Sequence, residues 1–529
     1  MLLLPHFLGS LAVVKAYVWP SPMLDALEAA RWNQDGHNSA LLATFIKPCN
    51  SDLVEGTNSG RADVADWVRT AYHDMATHNV ADGTGGLDAS IRFLEETSRS
   101  ENPGTGFNNT LSEVRVVNDR YVSIADSLAV GTIIAIENCG GPEIAFRGGR
   151  IDAREPNTPG VPEPQQDLDS HIAAFARQGF TQTEMIKLVA CGHSFGGVEH
   201  APFPEIVPEI NDPNNTLSVA HFDTTFTHFD NDVATEYMSG TTQNPLVVGS
   251  NDTTNSDKRI FGSDGNVTMK SFADSPELFA STCADMFARM LDTVPRGVEL
   301  TEVITPLPVK PHNLILRLAG DTLKLAGEVR FWNMTADAQR TVFMLLDDHT
   351  GGTRNVTLTS SGVSTAVSGR YSAAWYTFAP RPSNALTFLS LDAIAGIKSL
   401  RFVVDHGKLE DQGGVGFAVQ DGVVFSETSC YTSQHPPYKW RLDVAVRNGL
   451  DPSRVFLVQL GAEDSVERQI IVETDIPRPT QPIAANANYS IWSIEMTDDN
   501  SYFVGAEVDG VKFSGNDASG AADLSPCAV

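Results

Sequence analysis

The residues best suited to chemistry begin with Arg69 and His73, four positions apart within Val64–Ser90. A helix places positions i and i+4 on one face, so a fixed cation and an imidazole would stand side by side. The imidazole can take and return a proton near neutral pH, and the guanidinium can steady a developing negative charge. Asp74 is rotated by about 100° from His73 and points to the other side of that helix. Downstream, Gly85-Gly86-Leu87-Asp88-Ala89-Ser90 offers the Gly86 carbonyl, the Asp88 carboxylate and the Ser90 hydroxyl at alternate positions. Hard oxygens on a turn that glycine permits suit Ca²⁺, with Asp74 as the anchor.

A second cluster starts at His193-Ser194. These residues close an apolar run, Thr181–Phe195, that opens on the capping pair Thr181 and Glu184. Further on, Asp223, Thr225 and Asp230, with the His228 carbonyl, again offer closely spaced oxygens. A rival chemistry competes here, because Gly192-His193-Ser194-Phe195-Gly196 also reads as G-x-S-x-G, the nucleophile elbow of α/β-hydrolases. In that reading Met185–Cys191 is a strand, Ser194 the nucleophile of a serine esterase, and an acid such as Asp230 its partner. No H-G-G-G-type oxyanion segment lies upstream, however, and Arg69–Ser90 would be left without a task.

Arg-x-x-aromatic-His-Asp followed by Gly-Gly-x-Asp-x-Ser resembles the distal haem pocket of the plant/fungal/bacterial haem peroxidases. The likeness is strongest to the secreted fungal members, of the class II-like or hybrid type. It implies haem b held by His193, with His73 as acid–base and Arg69 as charge stabiliser. It also implies that Asn102 accepts the Nδ1–H of His73, with Asn108 as competitor. By the family's Ser-Asp ahead of its last large helix, Asp264 would accept the Nδ1–H of His193. Two Ca²⁺ ions follow from the likeness: one on Asp74, Gly86, Asp88 and Ser90, the other on Ser194, Asp223, Thr225, His228 and Asp230. The implied reaction is reduction of hydrogen peroxide with one-electron oxidation of small, phenolic donors. A third reading keeps the scaffold without the activity, as a wall-binding or structural protein.

Absences narrow the donor. All seven tryptophans lie at or before Trp67, or at or after Trp332. The position of the surface Trp in lignin and versatile peroxidases holds Leu188, and the three acids of manganese peroxidases correspond to Ala62, Asp66 and Phe195.

The elements that must position these groups are legible as helices. Met23–Trp32 is amphipathic, Tyr121–Glu137 is mostly apolar, and Pro276–Leu291 follows the Ser-Asp pair. Beyond the prolines of Thr301–Pro311 the pattern changes to short β-rich runs between polar turns, such as Val342–Leu346, Leu400–Val404 and Tyr502–Val508. The expected fold is therefore a mainly α haem-peroxidase domain followed by an all-β, sandwich-like C-terminal region. The expected boundaries are a signal peptide at 1–16, the peroxidase domain at 17–298, a linker at 299–311, and β domains at 312–432 and 433–529.

The apolar start Met1–Ala16 and seven N-x-S/T sequons indicate secretion and glycosylation. A net charge of -29 argues against nucleic-acid and membrane-surface partners. The aromatics of the β region allow a polysaccharide or cell-wall ligand. Six cysteines permit fifteen pairings. The family likeness implies a bridge from Cys49 to Cys139. Cys430 with Cys527 would staple the C-terminal region, and Cys191 and Cys283 either pair or stay as buried thiols.

Overall fold

The computed structural model describes residues 21–46, 49, 58–116, 120–379, 387–459, 464, 470–481 and 483–527. The expected signal peptide lies outside the described residues. Helices occupy the chain from Pro22–Trp32 to Pro276–Leu291, and strands follow from Val309–Ala319 onward. The expected fold class, a mainly α domain followed by an all-β region, is what the structure shows.

Asp63–Met75 is the helix around which the helical domain is packed. Its Trp67 is fully buried against the apolar helix Ile124–Asn138. Gly131 makes that approach possible, because a Cβ there would come within 2.3 Å of the Trp67 ring. The helix Gln182–Gly192 starts on the reciprocal capping box of Thr181 and Glu184 and ends at His193. A Cys191–Cys283 disulfide ties it to Pro276–Leu291, and Cys49–Cys139 braces the other side of the core. Cys191 and Cys283, whose state the sequence leaves open, are thus paired.

The β region contains a 12-stranded, mostly antiparallel sheet with four- and five-stranded sheets beside it. Two apolar cores form on it. One gathers around Phe331, Phe402 and Leu325, the other around Trp440, Trp492 and Leu457. The expected boundary at 432/433 falls inside the strand Cys430–Ser433, and the large sheet runs through it. Val423 and Phe425, ahead of that boundary, pack into the second core. Cys430 bonds to Cys527.

The expected linker 299–311 is not a tether. Thr301 and Ile304 donate backbone N–H bonds to the Gly148 and Phe146 carbonyls, and the strand Val309–Ala319 starts inside the segment. The first helix crosses the seam as well. Glu28, on Pro22–Trp32, accepts from Lys310 Nζ at 2.7 Å and from the Arg330 guanidinium, all three side chains being buried. Burial opposes ionisation of Glu28, but the two cations bring its carboxyl down to about 2. Asp35–Gly36 then pairs with Thr365 and Ser364, so the N-terminal segment adds a strand to the β region's own sheet. Trp32 packs edge-on against Trp332 and Tyr371.

Candidate active site

His73 and Arg69 project from the helix Asp63–Met75 into a cavity of about 640 Å³ that His193 also lines. Its walls include the apolar Leu188, Val189 and Phe222. Asn102, not Asn108, reaches His73: Nδ1 donates to Asn102 Oδ1 at 2.6 Å. Asn102 is itself held, its Nδ2 donating to the Glu96 carbonyl at 2.7 Å. An amide oxygen only accepts, so the proton sits on His73 Nδ1 and the Nε2 lone pair is left free. Arg69 lies over the Phe107 ring and donates to the Pro103 carbonyl at 2.9 Å.

Burial first, then the Arg69 cation, push His73 down to about 3, with the Asn102 bond pulling partly back. His73 is therefore a neutral base at any mildly acidic pH. For the peroxide reduction that the sequence resemblance implies, the rate should stay flat as pH falls from about 7 to about 4 and drop only below that. A stopped-flow pH profile with its midpoint near 6.5, the ordinary imidazole value, would contradict this. The linkage sign follows. Between about 6.5 and 3 the unfolded chain binds a proton at this residue that the folded chain refuses, so His73 lowers stability as the pH falls through that window.

At the other imidazole the structure corrects the sequence reading. His193 Nδ1 donates to Asp257 Oδ2 at 2.8 Å, and Asn244 Nδ2 donates to the same oxygen at 2.8 Å. Asp264 instead caps the helix Val267–Asp274, accepting from the N–H groups of Val267 and Thr268. Two of the chain's Ser-Asp pairs, Ser256-Asp257 and Ser263-Asp264, stand close together ahead of Pro276–Leu291. The first opens the helix Ser256–Phe261, which faces the cavity, so its carboxylate is the one within reach. His193 stacks on Phe222 with centroids 4.0 Å apart, which fixes its plane. Its Nε2 has no hydrogen bond among the described residues. With haem bound as the resemblance implies, Asp257→Ala should shift the absorption of the ferric form and raise its reduction potential, whereas Asp264→Ala should leave both unchanged. Equal shifts in the two variants, read by spectroelectrochemistry, would contradict the assignment.

Ser194 lacks the geometry of a nucleophile elbow. It is fully buried, follows a helix rather than a strand, and donates its Oγ to the Cys191 carbonyl at 2.8 Å. The serine esterase reading fails on that arrangement.

The two expected calcium sets differ. In the second, Thr225 Oγ1 donates to Asp230 Oδ1 at 3.0 Å, and Thr225 N–H to Asp223 Oδ1. Asp223 Oδ2 is buried without a hydrogen-bond partner. Burial and the nearby Asp230 push Asp223 up to about 8. An orphaned carboxylate oxygen among other oxygens fits a cation. In the first set the side-chain oxygens of Asp74, Asp88 and Ser90 accept hydrogen bonds. Asp74 accepts the backbone N–H groups of Asp88, Ala89 and Ile91. The amide of Asn157, a residue the sequence reading missed, donates to Asp88 and Ser90. Among the expected manganese ligands, Asp66 has both oxygens on Arg61 at 2.6 Å.

Two imidazoles lining one cavity, each with Nδ1 hydrogen-bonded and Nε2 without a hydrogen bond among the described residues, form an arrangement that fits a planar iron porphyrin. The Peroxidase family model matches residues 50–275, so the chain carries a haem peroxidase family domain followed by a further C-terminal region. Over 340 residues, 63% of this chain and 46% of the relative, it is 38% identical to a WSC domain-containing protein of Arthroderma benhamiae. It is 33% identical over 129 residues to L-ascorbate peroxidase 5, peroxisomal, of Arabidopsis thaliana, covering 24% of this chain and 46% of the relative. A mitochondrial cytochrome c peroxidase of Cryptococcus neoformans is 34% identical over 133 residues, 24% of this chain and 35% of that protein. The chain thus spans less than half the length of these relatives.

Proposed function

We propose that the protein is a secreted haem peroxidase that reduces hydrogen peroxide and oxidises small phenolic donors one electron at a time. The observation that carries this reading is the contrast between the two Nδ1 partners in one cavity. Asn102, a neutral amide, leaves His73 a base, while Asp257, a carboxylate, makes His193 an electron-rich ligand. When bound, haem supplies the iron at which the peroxide O–O bond is broken. His73 Nε2 takes the proton from one peroxide oxygen and returns it to the departing one. Arg69 stabilises the negative charge that grows on the departing oxygen. Asp257 holds His193 in the tautomer that presents Nε2 to the metal.

Several features support the donor class. Asp66 is engaged by Arg61, which disfavours Mn²⁺. The cavity is also lined by Glu101, Glu163, Glu199 and Glu205, and the chain carries a charge of -29. Such a field disfavours anionic donors. Three disulfides fit an oxidising compartment, and no helix among the described residues is long and apolar enough to cross a membrane. One Ca²⁺ on Ser194, Asp223, Thr225, His228 and Asp230 would stiffen the segment beside His193. We assign the β region to packing against the peroxidase domain, with a polysaccharide as its candidate ligand. The test is peroxide-dependent turnover of a phenolic dye by the purified protein. Absence of turnover with haem bound would favour a binding role on an inactive scaffold.

A further inference from the structure

Asn157 sits where the expected first calcium ion would gather its oxygens. Its Nδ2 lies 3.0 Å from both carboxylate oxygens of Asp88 and 2.9 Å from Ser90 Oγ. The residue is fixed from both sides of its backbone. Its N–H donates to Glu96 Oε1 at 2.5 Å, and its carbonyl accepts from the Arg99 guanidinium. The neighbouring oxygens have other duties. The Asp74 carbonyl accepts from Thr77 Oγ1 at 2.8 Å, and the Asp74 carboxylate takes three backbone N–H groups. A cation here would have to displace the amide and break at least part of this set.

We propose that the Asn157 amide replaces the cation on the His73 side of the pocket, so that this side is held by hydrogen bonds alone. The bonds close a circuit. His73 donates to Asn102, Asn102 to the Glu96 carbonyl, and Asn157 N–H to the Glu96 carboxylate. The Asn157 amide then donates to Asp88, and the Asp88 N–H to Asp74, the residue next to His73. Asn157 touches no reacting atom. It is a positioning residue that acts on His73 through Glu96 and Asn102. An amide offers two N–H donors to two acceptors without metal exchange, so chelators should not reach this side. The circuit also anchors the start of the segment that leads to Val161, Pro162 and Glu163 in the cavity wall.

The test counts calcium bound to the purified full-length protein by mass spectrometry after dialysis in calcium-free buffer and titration with CaCl₂. The wild type is expected to hold no more than one tight Ca²⁺, and two would overturn the proposal. Asp223→Ala should hold none, and one retained ion would place it on the Asp88 side and overturn the proposal. In EDTA, Asn157→Asp sets a carboxylate against Asp88 and should melt at a lower temperature than wild type, with CaCl₂ restoring it. Melting identical to wild type in EDTA would show that the amide does no work. For the positioning role, Asn157→Ala should slow peroxide cleavage in stopped-flow mixing while the haem content and the Soret position before peroxide stay those of wild type. A wild-type rate would overturn the circuit. Only this last readout rests on the proposed peroxidase activity. The metal count and the melts stand apart from it, so failure of one is distinguishable from failure of the other.

Discussion

Replacing His73 by alanine is expected to slow peroxide cleavage by about 10²–10⁴-fold, the usual contribution of a positioned acid–base group. Haem binding should survive, because His73 is not the group expected to hold the iron. The loss has a structural cause. Nδ1 is committed to Asn102 at 2.6 Å, and Nε2 has no hydrogen bond among the described residues, so one nitrogen is presented to substrate in a fixed tautomer. Arg69 would remain to steady charge, but it is a cation and cannot accept the first proton. Stopped-flow mixing with peroxide measures the rate. A His73→Ala protein that retains haem and cleaves peroxide at the wild-type rate would remove the acid–base assignment.

The second large effect concerns the seam between the helical domain and the β region. Glu28→Ala would leave Lys310 and Arg330 buried without their shared carboxylate. Lys310 would keep Asp25, whose Oδ1 lies 2.7 Å away, and Arg330 would keep Asn33. Breaking a buried ion pair by removing one partner typically costs about 3–5 kcal/mol. The segment that loses its anchor carries Trp32 and the Asp35–Gly36 strand, so the cost falls on both halves. Denaturant unfolding followed by haem absorbance and by tryptophan fluorescence should show both transitions shifting together to lower denaturant. A shift in fluorescence alone would mean that the β region is an independent appendage.

Local signals made much of the pocket legible in the sequence. Arg69, His73 and Asp74 share one helix, and His193 follows a capped helix whose Thr181–Glu184 box is visible in the residues themselves. The sequence does not separate Asp257 from Asp264, because one Ser-Asp pair opens the helix Ser256–Phe261, the other stands in the turn before Val267–Asp274, and only tertiary packing decides which one meets His193. Asn157 gave no signal. It lies on a loop 69 residues from Asp88, and a long-range contact from a loop leaves no periodicity to read. For the same reason, Asp35–Gly36 could not be read as an edge of the β region's sheet, nor Thr301–Pro311 as a packed segment. Strand existence after Leu314 was legible from alternation, but the continuity of one large sheet across Ser433 was not, since pairing partners lie far apart in the chain.

The proposed peroxidase chemistry needs a porphyrin seated between His73 and His193. The visible absorption spectrum of the purified protein, recorded before and after one equivalent of hydrogen peroxide, tests this most directly. A Soret band that shifts within the mixing time and returns when a phenol is added is the predicted result. A colourless protein, or a Soret band that peroxide leaves unchanged, would contradict it.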